Sequence, residues 1–156
     1  MRWRCRCSQA ADTAAAGEDF AAALVPGDVV LLTGALGAGK TTFVQGVARG
    51  LGVAERVTSP TFTMVRPHAC RRGAIATLWH ADLYRVRSLD EVWDLALGEL
   101  VEESAVALVE WGELAVSAFG RDAWTVHVAV DDEDETRLLE AVGARAGDDA
   151  PGRWES

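Results

Sequence analysis

Gly34-Ala35-Leu36-Gly37-Ala38-Gly39-Lys40-Thr41 sets glycine, lysine and hydroxyl residues at the spacing G-x-x-x-x-G-K-T, and Lys40 is the only lysine in the 156 residues. Every other strong base is arginine. A sequence that otherwise favours the planar guanidinium keeps one compact ammonium where a point charge must reach between phosphate oxygens. Gly34, Gly37 and Gly39 permit tight turns that present backbone N–H groups to those oxygens, and a helix opening here adds the positive end of its dipole. The Thr41 hydroxyl suits a magnesium ion. The expected ligand is a nucleoside triphosphate with Mg2+, gripped by Gly34, Leu36, Gly37, Ala38, Gly39, Lys40, Thr41 and Thr42.

Turnover needs a positioned metal and water as well as a phosphate grip. Glu110 follows the apolar run 105–109, a strand end beside the expected ligand crevice, which suits a metal-coordinating carboxylate. Asp82 ends another such run, in Trp79-His80-Ala81-Asp82-Leu83-Tyr84-Arg85, where it would orient water or metal. Lys40, Asp82 and Glu110 are therefore the expected catalytic set, with Thr41 and Glu110 on the metal. The period of two along a strand sends His80 and Asp82 to one face. For His80 two roles stay open, a hydrogen-bonded structural residue or a direct participant. Thr58-Ser59-Pro60-Thr61 is a hydroxyl-rich loop that either reports on the γ-phosphate, as switch segments do, or is a polar turn.

These groups require a scaffold. Residues 28–33 form a short apolar run rich in β-branched side chains, as for a buried strand. Phe43, Val44 and Val47 recur at helical spacing after the loop, with Gly50 or Gly52 to end the helix. Residues 8–23 predict an alanine-rich helix closed by Pro26-Gly27. Residues 57–65 predict an extended segment, and 74–82, 105–109 and 124–130 predict strands. Ser88-Leu89-Asp90-Glu91 has the form of a capping box opening a helix through Val92, Trp93, Leu95 and Ala96. Strands alternating with helices around a phosphate loop predict an α/β fold, a three-layer α/β/α P-loop sandwich around a mixed, largely parallel sheet. One domain is expected over 8–142, with a loose basic leader at 1–7 and a disordered Gly-, Ala- and Asp-rich tail at 143–156.

The net charge of −9 argues against a charge-driven grip on nucleic acid by the whole surface. Cys5, Cys7 and Cys70 read as reduced cytosolic thiols, and their spacing fits no common zinc site. No stretch approaches the roughly 20 apolar residues of a membrane span, and a cytoplasmic protein is expected.

The phosphate loop extended through Thr42-Phe43, then Thr58-Ser59-Pro60-Thr61-Phe62, His80-Ala81-Asp82-Leu83-Tyr84-Arg85 and Val109-Glu110-Trp111, in this order and spacing, closely resemble the TsaE (YjeE) family. The likeness runs from about residue 8 to 140. It implies a small ATPase of the machinery that makes the threonylcarbamoyl modification of adenosine 37 in tRNA, working with TsaB and TsaD and meeting tRNA only indirectly. It implies magnesium on Thr41 and Glu110, a functional role for Asp82, and an adenine near the segment preceding the first core strand, residues 10–17. Family members often have aspartate where this chain has Ala35, and proline where it has Gly112. Neither change removes a phosphate or metal ligand.

The alternative on the same scaffold is a small-molecule kinase, which needs paired arginines at a second substrate pocket. Arg71-Arg72 is the available cluster, and 67–73 is too brief for a lid. A GTPase is excluded in its N-K-x-D form, because the chain has no asparagine. A nucleotide-gated adaptor, whose hydrolysis resets a partner, fits the same residues.

Overall fold

Val29–Thr33 and Ala105–Glu110 are buried at every residue, the pattern of strands in the middle of a parallel sheet covered on both faces. The computed structural model describes residues 2–35, 37–59, 65–88, 90, 97–101, 104–111, 113–119, 122–143, 145–147 and 149–156. In chain order their elements are β1 (Arg2–Cys7), α1 (Ala10–Ala21), β2 (Val29–Thr33), α2 (Lys40–Gly50), β3 (Val65–Ala69), β4 (Thr77–Asp82), the single turn α3 (Leu97–Leu100), β5 (Ala105–Glu110), α4 (Glu113–Phe119), β6 (Trp124–Val130) and β7 (Arg137–Val142). The strands form one mixed sheet in the order β1-β7-β6-β2-β5-β4-β3. Its four central strands, β6, β2, β5 and β4, are mutually parallel. β1, β7 and β3 add antiparallel at the two sides.

The faces differ. α1 and α2 cover one side, where Phe20, Phe43, Val44 and Val47 join the inward residues of β1, β7, β6, β2 and β5 in a single cluster. On the opposite side a smaller cluster of Val29, Leu31, Ala107, Val109, Ala81 and Ala115 lies under the short helices, while Val130, Leu138 and Val142 of β6 and β7 stay exposed.

α1 and α2 cross with no side chain between them at Gly17 and Gly46. A Cβ at Gly46 would lie 1.9 Å from the Ala14 carbonyl oxygen, and one at Gly17 would lie 2.3 Å from that of Phe43. Backbone cannot swing aside as a side chain can, so overpacking of about 1–3 kcal/mol outweighs the roughly 1 kcal/mol that alanine gains in helix propensity. Gly46→Ala is expected to lower the melting temperature by several degrees, with calorimetry as the check. A variant melting at or above the wild-type temperature would show that the helices can separate without cost.

The stretch 1–7 is not a loose leader. From Arg2 onward it is β1, with Trp3, Cys5 and Cys7 buried and the arginines outward. Arg2 and Arg4 pair with Glu140, and Arg6 with Asp134, so the basic residues meet carboxylates on and beside β7. Nor is 143–156 disordered where it is described. Trp154 packs on Phe20 and Phe43, its Nε1 donating to the Ala16 carbonyl at 2.9 Å, and Glu155 exchanges two backbone hydrogen bonds with Arg4. A lone tryptophan buried against α1 holds a segment that composition alone makes look unattached. The helix at 8–23 begins at Ala10, with Gln9 and Asp12 forming the capping box. Of the extended segment 57–65, residues 57–59 are irregular, 60–64 lie outside the described residues, and β3 starts at Val65. The expected helix through 92–96 also lies outside them.

Candidate functional site

The loop between β2 and α2 is shaped by glycines at the positions that need them. Gly34 has φ 135° and its missing Cβ would sit 2.4 Å from the Val128 carbonyl oxygen, so β6 presses directly on the loop. Gly37 and Gly39 have φ of 78° and 113°, a region that side chains rarely adopt. α2 then opens at Lys40 itself. Lys40 is buried. Its Nζ donates to the carbonyls of Gly34 at 2.6 Å and Ala35 at 3.0 Å and sits 3.7 Å from the centre of the Trp111 ring, a cation–π contact. Desolvation lowers the pKa of the ammonium, while the carboxylates of Glu113, Glu110 and Asp82 pull it back up.

Parallel pairing of β4 with β5 sets Asp82 opposite Glu110, at the strand ends that face the start of α2. Glu110 is buried, and each of its oxygens has a partner. The Thr41 hydroxyl donates to Oε1 at 2.6 Å, and His80 Nε2 lies 2.5 Å from Oε2. With its proton given to Glu110, Thr41 accepts from the Ser59 hydroxyl at 2.9 Å. Asp82 Oδ1 accepts the Tyr84 backbone N–H at 2.9 Å. Its carboxyl is pushed above the usual carboxylate range, chiefly by burial and further by the charge of Glu110.

Gly37, Gly39, Lys40, Thr41, Thr42, Ser59, Asp82, Tyr84, Glu110 and Trp111 line one cavity of about 310 Å³. The structure thus brings Lys40, Thr41, Thr42, Asp82 and Glu110 together as the sequence predicts. Ala38 is buried beneath the loop rather than lining it, and the Gly34 N–H points to Glu113 Oε1 at 3.3 Å. Leu36 lies outside the described residues, as do Pro60 and Thr61. His80 is fully buried behind Glu110. A second cavity of about 260 Å³ shares Gly37, Gly39 and Thr42 and is completed by Gln9, Thr13 and Arg137 among others.

Three side chains outside the expected site residues also contribute. Arg137, at the start of β7, donates through Nε to the Ala38 carbonyl at 3.2 Å, fixing the glycine loop from a residue 99 positions away in sequence. Glu113, three residues after Glu110, brings a second carboxylate to the loop where Ala35 has none. Trp111, held at φ 58°, turns its ring over Lys40 and packs against Tyr84 with centroids 4.9 Å apart and the rings tilted by 49°. No sequence signal marks Arg137, whereas Glu110-Trp111 was visible as a pair.

The arrangement offers a cradle of backbone and one ammonium for an anion, with a hydroxyl and two carboxylates at its mouth for a hard cation and water. Among the described residues no group of three or more His, Cys, Asp or Glu side chains is placed to hold a metal by itself. Arg71 and Arg72 are elsewhere, their N–H groups bonded to the Leu51 carbonyl at the far end of α2.

The family model described as threonylcarbamoyl adenosine biosynthesis protein TsaE matches residues 7–139. The chain is 42% identical over 127 residues to the tRNA threonylcarbamoyladenosine biosynthesis protein TsaE of Treponema pallidum, covering 81% of this chain and 91% of that one. It is 40% identical over 136 residues to the protein of the same name from Bacillus subtilis, covering 86% and 82%. A crystal structure of YdiB from Bacillus subtilis superposes with a TM-score of 0.66 at 31% identity, over 90% of this chain and 84% of the other. Sequence, fold and relatives agree, and the chain belongs to the TsaE family of threonylcarbamoyl adenosine biosynthesis proteins.

Proposed function

We propose that the chain is a P-loop ATPase of the tRNA threonylcarbamoyladenosine machinery, binding ATP with Mg2+ at residues 34–42 and acting with TsaB and TsaD in the cytoplasm. The observation that carries this is the contact of Thr41 with Glu110 at the mouth of a glycine loop whose one lysine is buried beside it. Those two oxygens fit magnesium, which takes one or two protein ligands and fills its octahedron with phosphate and water. Bound there, the ion would neutralise charge on the phosphates during transfer. Lys40 would exchange its two carbonyl acceptors for phosphate oxygens. Asp82, with its raised affinity for protons and its place in the same cavity, would hold the attacking water. The nucleoside would extend into the second cavity, past Thr42 toward Gln9 and Thr13, in keeping with the segment that the family resemblance assigns to adenine.

A small-molecule kinase loses its support here, because Arg71 and Arg72 sit at the other end of an 11-residue helix, roughly 16 Å from the loop at 1.5 Å per residue. The acidic chain is also a poor independent binder of tRNA. Nucleotide state should therefore act through partners. The expected result is slow ATP turnover alone, stimulation by TsaB–TsaD, and stronger recovery of those partners with ATP than with ADP. Equal recovery with ATP, ADP and no nucleotide, together with full turnover by the isolated chain, would refute the switch and leave a self-sufficient ATPase.

A further inference from the structure

We propose that His80 is a positioning residue that fixes the Glu110 carboxylate for metal, a role that rests on the ATP–magnesium function proposed above. His80 is 0% exposed and does not line the cavity that Asp82 and Glu110 line. It therefore acts through a neighbour. In the β4–β5 register His80 stands opposite Leu108 and Asp82 opposite Glu110, so the imidazole reaches forward by one strand repeat to meet Oε2 of Glu110 at 2.5 Å.

A carboxylate only accepts, so the proton of that contact is on Nε2 of the ring. The consequence is directional. With Oε2 held from behind by the imidazole and Oε1 turned to the Thr41 hydroxyl at 2.6 Å, the plane of the carboxylate is set by two bonds, one from the strand β4 and one from the helix α2. A glutamate has three rotatable bonds before that plane, and without the imidazole Oε2 would be buried with no donor. The second observation is the other nitrogen. Nδ1 is buried and has no hydrogen-bond partner among the described residues, a cost that a core position filled only for packing would avoid with leucine. What Nε2 does for Glu110 offsets it.

The experiment titrates Mn2+ into the full chain with a non-hydrolysable ATP analogue, followed by electron paramagnetic resonance, alongside analogue binding in EDTA. His80→Leu and His80→Asn should weaken Mn2+ binding in the presence of analogue by about 10–100-fold, the range seen when a hydrogen-bonding partner behind a metal ligand is removed. Analogue affinity in EDTA should stay at the wild-type value. His80→Gln, whose amide nitrogen falls near the position of Nε2, should recover most of the loss, which a packing role would not predict. If leucine prevents folding, the Gln and Asn pair decides. Wild-type Mn2+ affinity in the Asn variant, or an equal loss in Gln and Asn, overturns the inference while leaving the ATP–magnesium function intact. Wild-type chain that binds analogue with no metal dependence overturns both.

Discussion

Lys40→Ala is expected to abolish stabilisation of the fold by ATP. A ligand present at 100 times its dissociation constant raises the stability of a protein it binds only when folded by about 2.7 kcal/mol. For a domain of this size that is a rise of roughly 5–10 °C in melting temperature, and the variant should show none of it. The chain has no second lysine to substitute. Arginine at the position should fail as well, since a long planar guanidinium does not replace a point charge in a place walled by Trp111 and two loop carbonyls. Without nucleotide the alanine variant should be somewhat less stable, because those carbonyls lose a charged donor, each such bond being worth about 1.5–3 kcal/mol. Differential scanning fluorimetry with and without Mg-ATP measures both effects. A melting-temperature rise in Lys40→Ala equal to wild type would mean that nucleotide binds elsewhere.

Asp82→Asn separates binding from turnover. The amide keeps the shape and can still accept the Tyr84 N–H, but it cannot take a proton from water, so ATP turnover should fall by about 100-fold or more with nucleotide affinity close to wild type. Stability should move the other way. The folded-state pKa of Asp82 is raised by burial and by Glu110, so its ionised form is disfavoured by the fold. Stability from this residue therefore falls as pH rises from the ordinary carboxylate range through the raised value. Asparagine escapes that penalty, so the variant should melt at or above the wild-type temperature near neutral pH, with the difference vanishing below the ordinary carboxylate range. Wild-type turnover in the variant would sink the role of Asp82, and a wild-type advantage in stability at neutral pH would contradict the burial cost.

What could be seen in advance was local. The glycine loop, the buried strand before it and the helix after it are contiguous, and each confirms the others through short-range rules of turn and periodicity. Asp82 and Glu110 could be placed at a common edge because both end apolar runs, and parallel strands end together. The edge strands were not visible for the opposite reason. Arg2-Trp3-Arg4-Cys5-Arg6-Cys7 alternates perfectly, but its alternation acquires meaning only from Glu140, Asp134 and the register with β7 more than 120 residues away. Arg137 is hidden likewise, since its partner is a backbone carbonyl of the glycine loop. His80 showed its face but not its partner, because the diagonal to Glu110 depends on the stagger of β4 against β5.

The pairing of β1 with β7 also sets a timetable. β1 has its ladder partner at 137–142, so once made it waits through about 130 further residues, roughly 6–26 s at synthesis rates of about 5–20 residues per second. During that interval Trp3 and the Cys5 and Cys7 thiols, later among the most enclosed of the described groups, are open to oxidants and to other nascent chains, whereas β2 and the glycine loop can already fold against α2. The later strand β7 thus controls when the earlier β1 becomes safe.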